Sequence, residues 1–277
     1  MADAAVLLRR LRALDWRITV GVAAIAAIII VAYAVPYSPI ADANASRAQL
    51  AGPGHYWFGT DKLGRDVFRR VLAGARLDLP LALGGMAVSL LIGVPLGLLA
   101  SQKSRWSERF MRALDMFQAF PLLVLAIVLV ALAGNALWMI VVAIALINTP
   151  RFIRLVRAEA LSLRESRFVE AAVAIGATRS RVMFRHLLPN TANTILVQAS
   201  LTAAQSIVVI ASLAYLGIGI VPPRASWGGM IRDGSANITT GQWWVAIFPG
   251  IAVFLCVLLF NQIADRLERV LSRGARG

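Results

Sequence analysis

The chain has 277 residues, 59% hydrophobic and 15% charged, with a mean hydropathy of +0.73 and a formal net charge of +14. That balance excludes an ordinary soluble domain, and because the basic residues flank apolar stretches instead of alternating with stacking aromatics, it also argues against a nucleic-acid surface. Cys256 is the only cysteine, His55 and His186 are far apart, and the lysines Lys62 and Lys103 fall in no G-x-x-x-x-G-K-[ST] run, which leaves no disulfide framework, metal site or phosphate-cradling loop.

In chain order, residues 1–17 form a basic N-terminal segment, followed by a first apolar span at Ile18–Val35. A bilayer core needs about 20 apolar helical residues, and this run is longer than the apolar region of a secretory signal. Ala43-Asn44-Ala45 is superficially like a cleavage site, but cleavage would leave five spans and a charge bias harder to satisfy, so the first helix is expected to stay. Residues 36–78 form an extracytoplasmic segment with Pro36, Pro39, Gly52, Pro53 and Gly54, turning amphipathic in its later half.

Further spans are expected at Leu79–Ala100, Met116–Ala133, Thr191–Ile220 and Trp243–Ile263. Ala136–Pro150 is a shorter one, reaching full length if Arg151 and Arg154 snorkel to the headgroups. The expected fold is therefore an all-α membrane protein of six transmembrane helices, its core at 79–263 interrupted by an inner loop at 158–190 and an outer loop at 221–242, and ending in a tail at 264–277. With the N-terminus inside, 20 of the 28 lysines and arginines fall on the inner side. That bias places both termini in the cytoplasm, with Trp138, Trp227, Trp243 and Trp244 at or beside the outer ends.

The inner loop holds the passage FVEAAVAIGATRSRVMFRHLLPN, Phe168 to Asn190. Its Ala-rich first part favours helix to Ala174, Gly176 suits a sharp turn, and Thr178 is a fitting N-cap for a second short helix that Pro189 should end. On that second helix Met183, Phe184, Leu187 and Leu188 are expected to share one face and Arg181 and Arg185 another. Such a helix–turn–helix bracket is too polar to cross the membrane and too apolar on one side to stand free. It should lie along the inner surface and present a patch to a cytoplasmic partner.

The spacing Glu170-Ala171-Ala172, Gly176, Leu188-Pro189 resembles the EAA motif of the membrane subunits of bacterial ABC importers, in which a Gly follows the Glu by six positions and a Pro by nineteen. GTDKLGRDVFRRVLAGAR, Gly59 to Arg76, and SLAYLGIGIVPPRASWGGMI, Ser212 to Ile231, are similar to stretches of the C-type permeases of dipeptide, oligopeptide and nickel importers. His186 stands where the general consensus has Ile, and Arg69 where the C-type pattern has Ser. The resemblance implies the type I ABC importer permease fold. It also implies that Glu170, Ala171, Ala172, Gly176, Arg181, Leu188 and Pro189 couple the chain to an ATPase.

By the same resemblance the partners are a second homologous permease, two cytoplasmic ATP-binding subunits or a fused ATPase, an extracytoplasmic substrate-binding protein and the lipid bilayer, with no nucleic acid. ATP and Mg would bind in the partner subunits, and this chain would hold no cofactor, metal or catalytic residue. A di- or oligopeptide is the implied cargo, with a nickel or other metal chelate or a haem-like ligand as the alternative.

Polar groups suited to a translocation pathway occur in the fifth span, where Gln198, Thr202 and Gln205 recur on one helical face without a charge. Packing against a neighbouring helix is the competing role for these three. Asn148 and Gln118 are further polar positions. An intramembrane protease would need a Ser–His or Asp–Asp pair within the spans, and a stand-alone secondary transporter an intramembrane charge for ion coupling; neither pattern is evident.

Overall fold

The computed structural model describes residues 16–38, 56–102 and 104–273. Most of residues 1–17, the 39–55 part of the outer segment, Lys103 and the last four residues, Arg276 among them, lie outside these. The described residues fold into helices, with one isolated antiparallel β-bridge joining Thr60 to Asp66. They are α1 Trp16–Ala34, α2 Val67–Ala100, α3 Arg105–Gln118, α4 Leu122–Leu132, α5 Leu137–Arg164, α6 Arg167–Ala174, α7 Arg179–Tyr215, α8 Trp227–Ser235 and α9 Trp244–Arg273. Five of them are long and apolar enough to cross a membrane, or six if the bent pair α3 and α4 counts as one span.

Two small-against-large ridges hold the centre together. On α2, Gly85, Ser89, Gly93 and Gly97 recur every four residues and meet Ile144, Phe152 and Val156 of α5, which share the same four-residue period. A methyl group built on Gly93 would lie 2.5 Å from Phe152 Cβ, so the helices approach as closely as absent side chains allow. Ser89 and Asn148 add no unmet polarity, since each donates to the carbonyl four residues back, Gly85 and Ile144. A larger apolar cluster unites α1, α2, α4, α5, α7, α8 and α9, and a smaller one at the other end joins Val94, Leu98, Val156, Val169, Met183 and Leu187.

Four expected features differ in form. The amphipathic part of the outer segment and the second span are one continuous 34-residue helix, α2, whose N-cap Asp66 accepts from the Phe68 N–H at 2.9 Å. Met116–Ala133, expected as one span, breaks at Ala119–Pro121, where the chain bends by 78° between α3 and α4. Pro121 explains it: Pro has no N–H to give and pushes the residue before it out of helical geometry.

The short span expected to stop at Pro150 runs on through it to Arg164, 28 residues in all. Arg151 and Arg154 therefore sit within the helix, where Arg154 pairs with Asp115 at 2.6 Å, and do not snorkel from its end. Finally, Pro189 does not end the second arm of the bracket. Residues Val182–Leu187 widen into a π-helical stretch, the Leu188 N–H reaches back to the Met183 carbonyl, and α7 continues to Tyr215.

Candidate functional site

The bracket begins where α5 ends. Arg157 Nε donates to the Ala100 carbonyl at 3.1 Å and Arg164 Nε to Ser101 Oγ at 3.2 Å, which ties the end of α5 to the end of α2. From that anchored edge α6 runs for eight residues and stops in a Schellman turn. The Gly176 N–H donates to the Val173 carbonyl at 2.9 Å and the Ala177 N–H to that of Ala172 at 3.0 Å, with Gly176 at φ 88°. Only glycine takes that φ at little cost. Thr178 then caps the second arm, its Oγ1 accepting from the Arg181 N–H at 3.3 Å.

The bracket is seated by few side chains. Val169 and Ala172 of α6 and Val182, Met183 and Leu187 of α7 are buried, while Leu188 is half-buried. Phe184, expected on the buried face, is exposed. The wider turn of the π-helical stretch gathers Val182, Met183 and Leu187 on the buried side and leaves Phe184 outside it.

What the bracket leaves uncovered is mixed. Glu170, Ala171, Gly176, Arg181 and Pro189 are exposed, as are Arg179 and Arg185. Among them stand Phe168, Val173, Ile175 and Phe184, with Ile175 88% exposed at the tip beside Gly176. Glu170 lies in the first turn of α6, where a carboxylate favours the helix dipole. An apolar tip ringed by cations and one carboxylate has the mixed character of a contact surface.

The three polar residues expected along a pathway lie on α7 at different depths of burial. Thr202 is fully buried and takes a hydrogen bond from Gln198 Nε2 at 3.2 Å, Gln198 is half-buried, and Gln205 is exposed. Gln205 Oε1 accepts from Arg151 Nη1 of α5. That contact is not legible in the sequence, where the apolar run ends as Arg151 begins; the apolar spacing of Phe152, Ile153, Val156 and Ala160 beyond it is the signal for a continuing helix.

At the opposite end, the two stretches that the sequence marks, 59–76 and 212–231, pack on each other. Asp61 Oδ1 accepts from the Leu63 and Arg65 N–H groups, and its Oδ2 from Arg65 Nε at 2.8 Å and from Arg70 Nη1. Burial alone would raise the Asp61 carboxyl, but Arg70, Arg65 and the two backbone donors outweigh it and hold it below its ordinary value of 3.8. Trp227 of α8 donates its backbone N–H to Asp78 and its indole N–H to the Val71 carbonyl, each at 2.8 Å. Trp244 donates its indole N–H to the Thr60 carbonyl at 3.0 Å, and Arg76 donates to the Ala32 and Val35 carbonyls, capping the end of α1.

Residues 90–277 match the model of the family described as binding-protein-dependent transport system inner membrane component. The chain is 40% identical over 257 residues, 91% of its length and 84% of the relative, to the dipeptide transport system permease protein DppC of Alkalihalophilus pseudofirmus. It is 38% identical over 240 residues, 86% of its length and 79% of the relative, to the glutathione transport system permease protein GsiD of Pectobacterium atrosepticum. Among solved structures, an inward-facing conformation of the MetNI methionine ABC transporter superposes with a TM-score of 0.58 at 17% identity, over 72% of this chain and 96% of that one, a likeness of fold.

Proposed function

The chain belongs to the family of inner membrane components of binding-protein-dependent transport systems, as a multi-pass permease subunit of an ABC transporter, and from that premise we propose that its cargo is a di- or oligopeptide. The observation that carries the cargo is the pair of relatives at 38–40% identity, one named for dipeptides and the other for glutathione, itself a tripeptide. Neither of these relatives is named for a nickel chelate or a haem-like ligand.

The bracket, Glu170, Ala171, Ala172, Gly176, Arg181, Leu188 and Pro189, is the proposed contact with the ATPase. The exposed apolar tip at Ile175 on a base fixed to α2 and α5 supports this role. In this reading the bracket and both termini are cytoplasmic, the side that the arginine bias favours. The chain supplies no catalytic residue; ATP and Mg bind in two ATP-binding subunits or a fused ATPase. A second homologous permease completes the pathway, and an extracytoplasmic binding protein delivers the cargo.

Reconstitution tests the whole reading. Proteoliposomes holding this chain with its homologous permease and ATPases should accumulate a labelled tripeptide only when ATP is inside and the loaded binding protein outside. Uptake by this chain without the ATPases would overturn the importer, and uptake of a nickel chelate in preference to every peptide would overturn the cargo.

A further inference from the structure

Arg151 is out of place for a surface arginine. At about 1.5 Å per residue it lies roughly 20 Å from Leu137 along α5, just past the apolar run Ala136–Pro150. Gln205, its contact, is likewise interior to α7, about 15 Å from Tyr215. Both side chains are exposed on the surface of the chain, away from the packed ridge between α2 and α5.

Its partners are neutral. Arg151 Nη1 donates to Gln205 Oε1 and, at 3.3 Å, to Asn148 Oδ1. Asn148 is 1% exposed and fixed, because its own amide donates to the Ile144 carbonyl at 3.0 Å, so its oxygen is held toward the arginine. One turn further along α5, by contrast, Arg154 has a carboxylate, Asp115. Among the described residues no carboxylate pairs with Arg151, and its Nε and Nη2, the edge that receives a carboxylate as a bidentate pair, make no hydrogen bond. A charge within a spanning helix that reaches the polar face of a neighbouring span faces water or protein and marks a substrate route or a partner. Two oxygens aim this guanidinium without neutralising it.

We propose that Arg151, positioned by Asn148 and Gln205, is a station between the spanning helices α5 and α7 for the C-terminal carboxylate of the peptide in transit. This rests on the peptide-import reading above. Because Gln205 takes one edge of the guanidinium and leaves Nε and Nη2, the station can receive a carboxylate on that open edge while the contact stands.

The test compares trialanine with trialanine amide, which lacks the carboxylate, in proteoliposomes of the complete transporter. The readout is the acid-to-amide ratio of uptake rates, measured with the same binding protein for every variant so that its own preference cancels. R151Q is expected to lower the ratio about tenfold, and R151K, which keeps the charge, to restore most of it. Q205E gives the arginine a resident carboxylate and should lower the ratio likewise, which keeps the proposal testable if R151Q fails to assemble. A ratio at the wild-type value in both R151Q and Q205E overturns the station, and so does an equal loss of both substrates, which would make Arg151 a pairing residue for the second permease. No uptake of either peptide by the wild type would instead refute the peptide cargo.

Discussion

Gly176 offers a direct test of the coupling role, because its surroundings separate backbone from packing. At φ 88° it closes the turn of the bracket, yet a Cβ built there meets nothing within 4 Å. Gly176→Ala therefore costs only the left-handed conformation, about 1–2 kcal/mol, which shifts the equilibrium between turned and unturned bracket by roughly 5- to 30-fold. Gly176→Pro fixes φ near −65° and removes the N–H that donates to Val173, so the turn cannot form at all. Neither change touches the packed ridges between α2 and α5, and the thermal midpoint of the bundle in detergent should stay where it is. With the complete transporter in proteoliposomes, the stimulation of ATP hydrolysis by loaded binding protein should weaken in G176A and vanish in G176P. Wild-type stimulation in G176P, with the protein inserted and assembled, would refute the assignment of the bracket to coupling.

The clamp around Asp61 should show the cost of an unpaired buried charge. The side chains of Asp61, Arg65 and Arg70 are only 3%, 7% and 5% exposed, so D61A leaves Arg65 unpaired and Arg70 with only Asp233 at 4.0 Å, and should destabilise the protein by about 3–5 kcal/mol, read as a lowered thermal midpoint. Since the native carboxyl titrates below its ordinary value of 3.8, its contribution is complete above that pH and is lost as pH falls through the lowered native value; D61N should abolish that acid-dependent part of the loss. On α2, G97A drives a methyl to 2.8 Å from Val156 Cβ and 2.9 Å from the Ile153 carbonyl and should cost about 1–3 kcal/mol, whereas G84A, with Val141 no nearer than 3.7 Å, should be neutral or slightly stabilising. Equal midpoints for G97A and G84A would contradict the ridge packing.

The features legible in the sequence are those set by local chemistry. Helix to Ala174, the turn at Gly176 and the cap at Thr178 each depend on residues within a few positions, and each takes the expected form. Hydropathy located the spans but carries no direction, so the 78° break at Ala119–Pro121 passed as one straight apolar run. The apolar run ends at Pro150 because Arg151 follows, and Pro189 reads as a stop because a proline removes one hydrogen bond; packing on α2 and a π-helical stretch carry the helices through. Arg151 is the deepest case. Its charge counted toward orientation when its neighbours in sequence were the only context, and its meaning changed once Gln205, 54 positions away, was found beside it.

The proposed docking surface and the proposed station share one element. Arg181, in the second arm of the bracket, and Gln205 both belong to α7, which runs from Arg179 to Tyr215 without a break. A displacement of the bracket by an ATPase therefore reaches Gln205 along a helix, and the one softer place on the way is the π-helical stretch Val182–Leu187, next to the bracket itself. The other half of the station is on α5, which Arg157 and Arg164 tie to α2. Movement of α7 against that fixed pair would act on the Arg151–Gln205 contact, which joins α5 to α7. Loosening it frees one more donor of the guanidinium for cargo, and remaking it competes the cargo away. On this geometry the same stroke that closes the ATPases would set how firmly Arg151 holds a carboxylate, with no separate gate required between them.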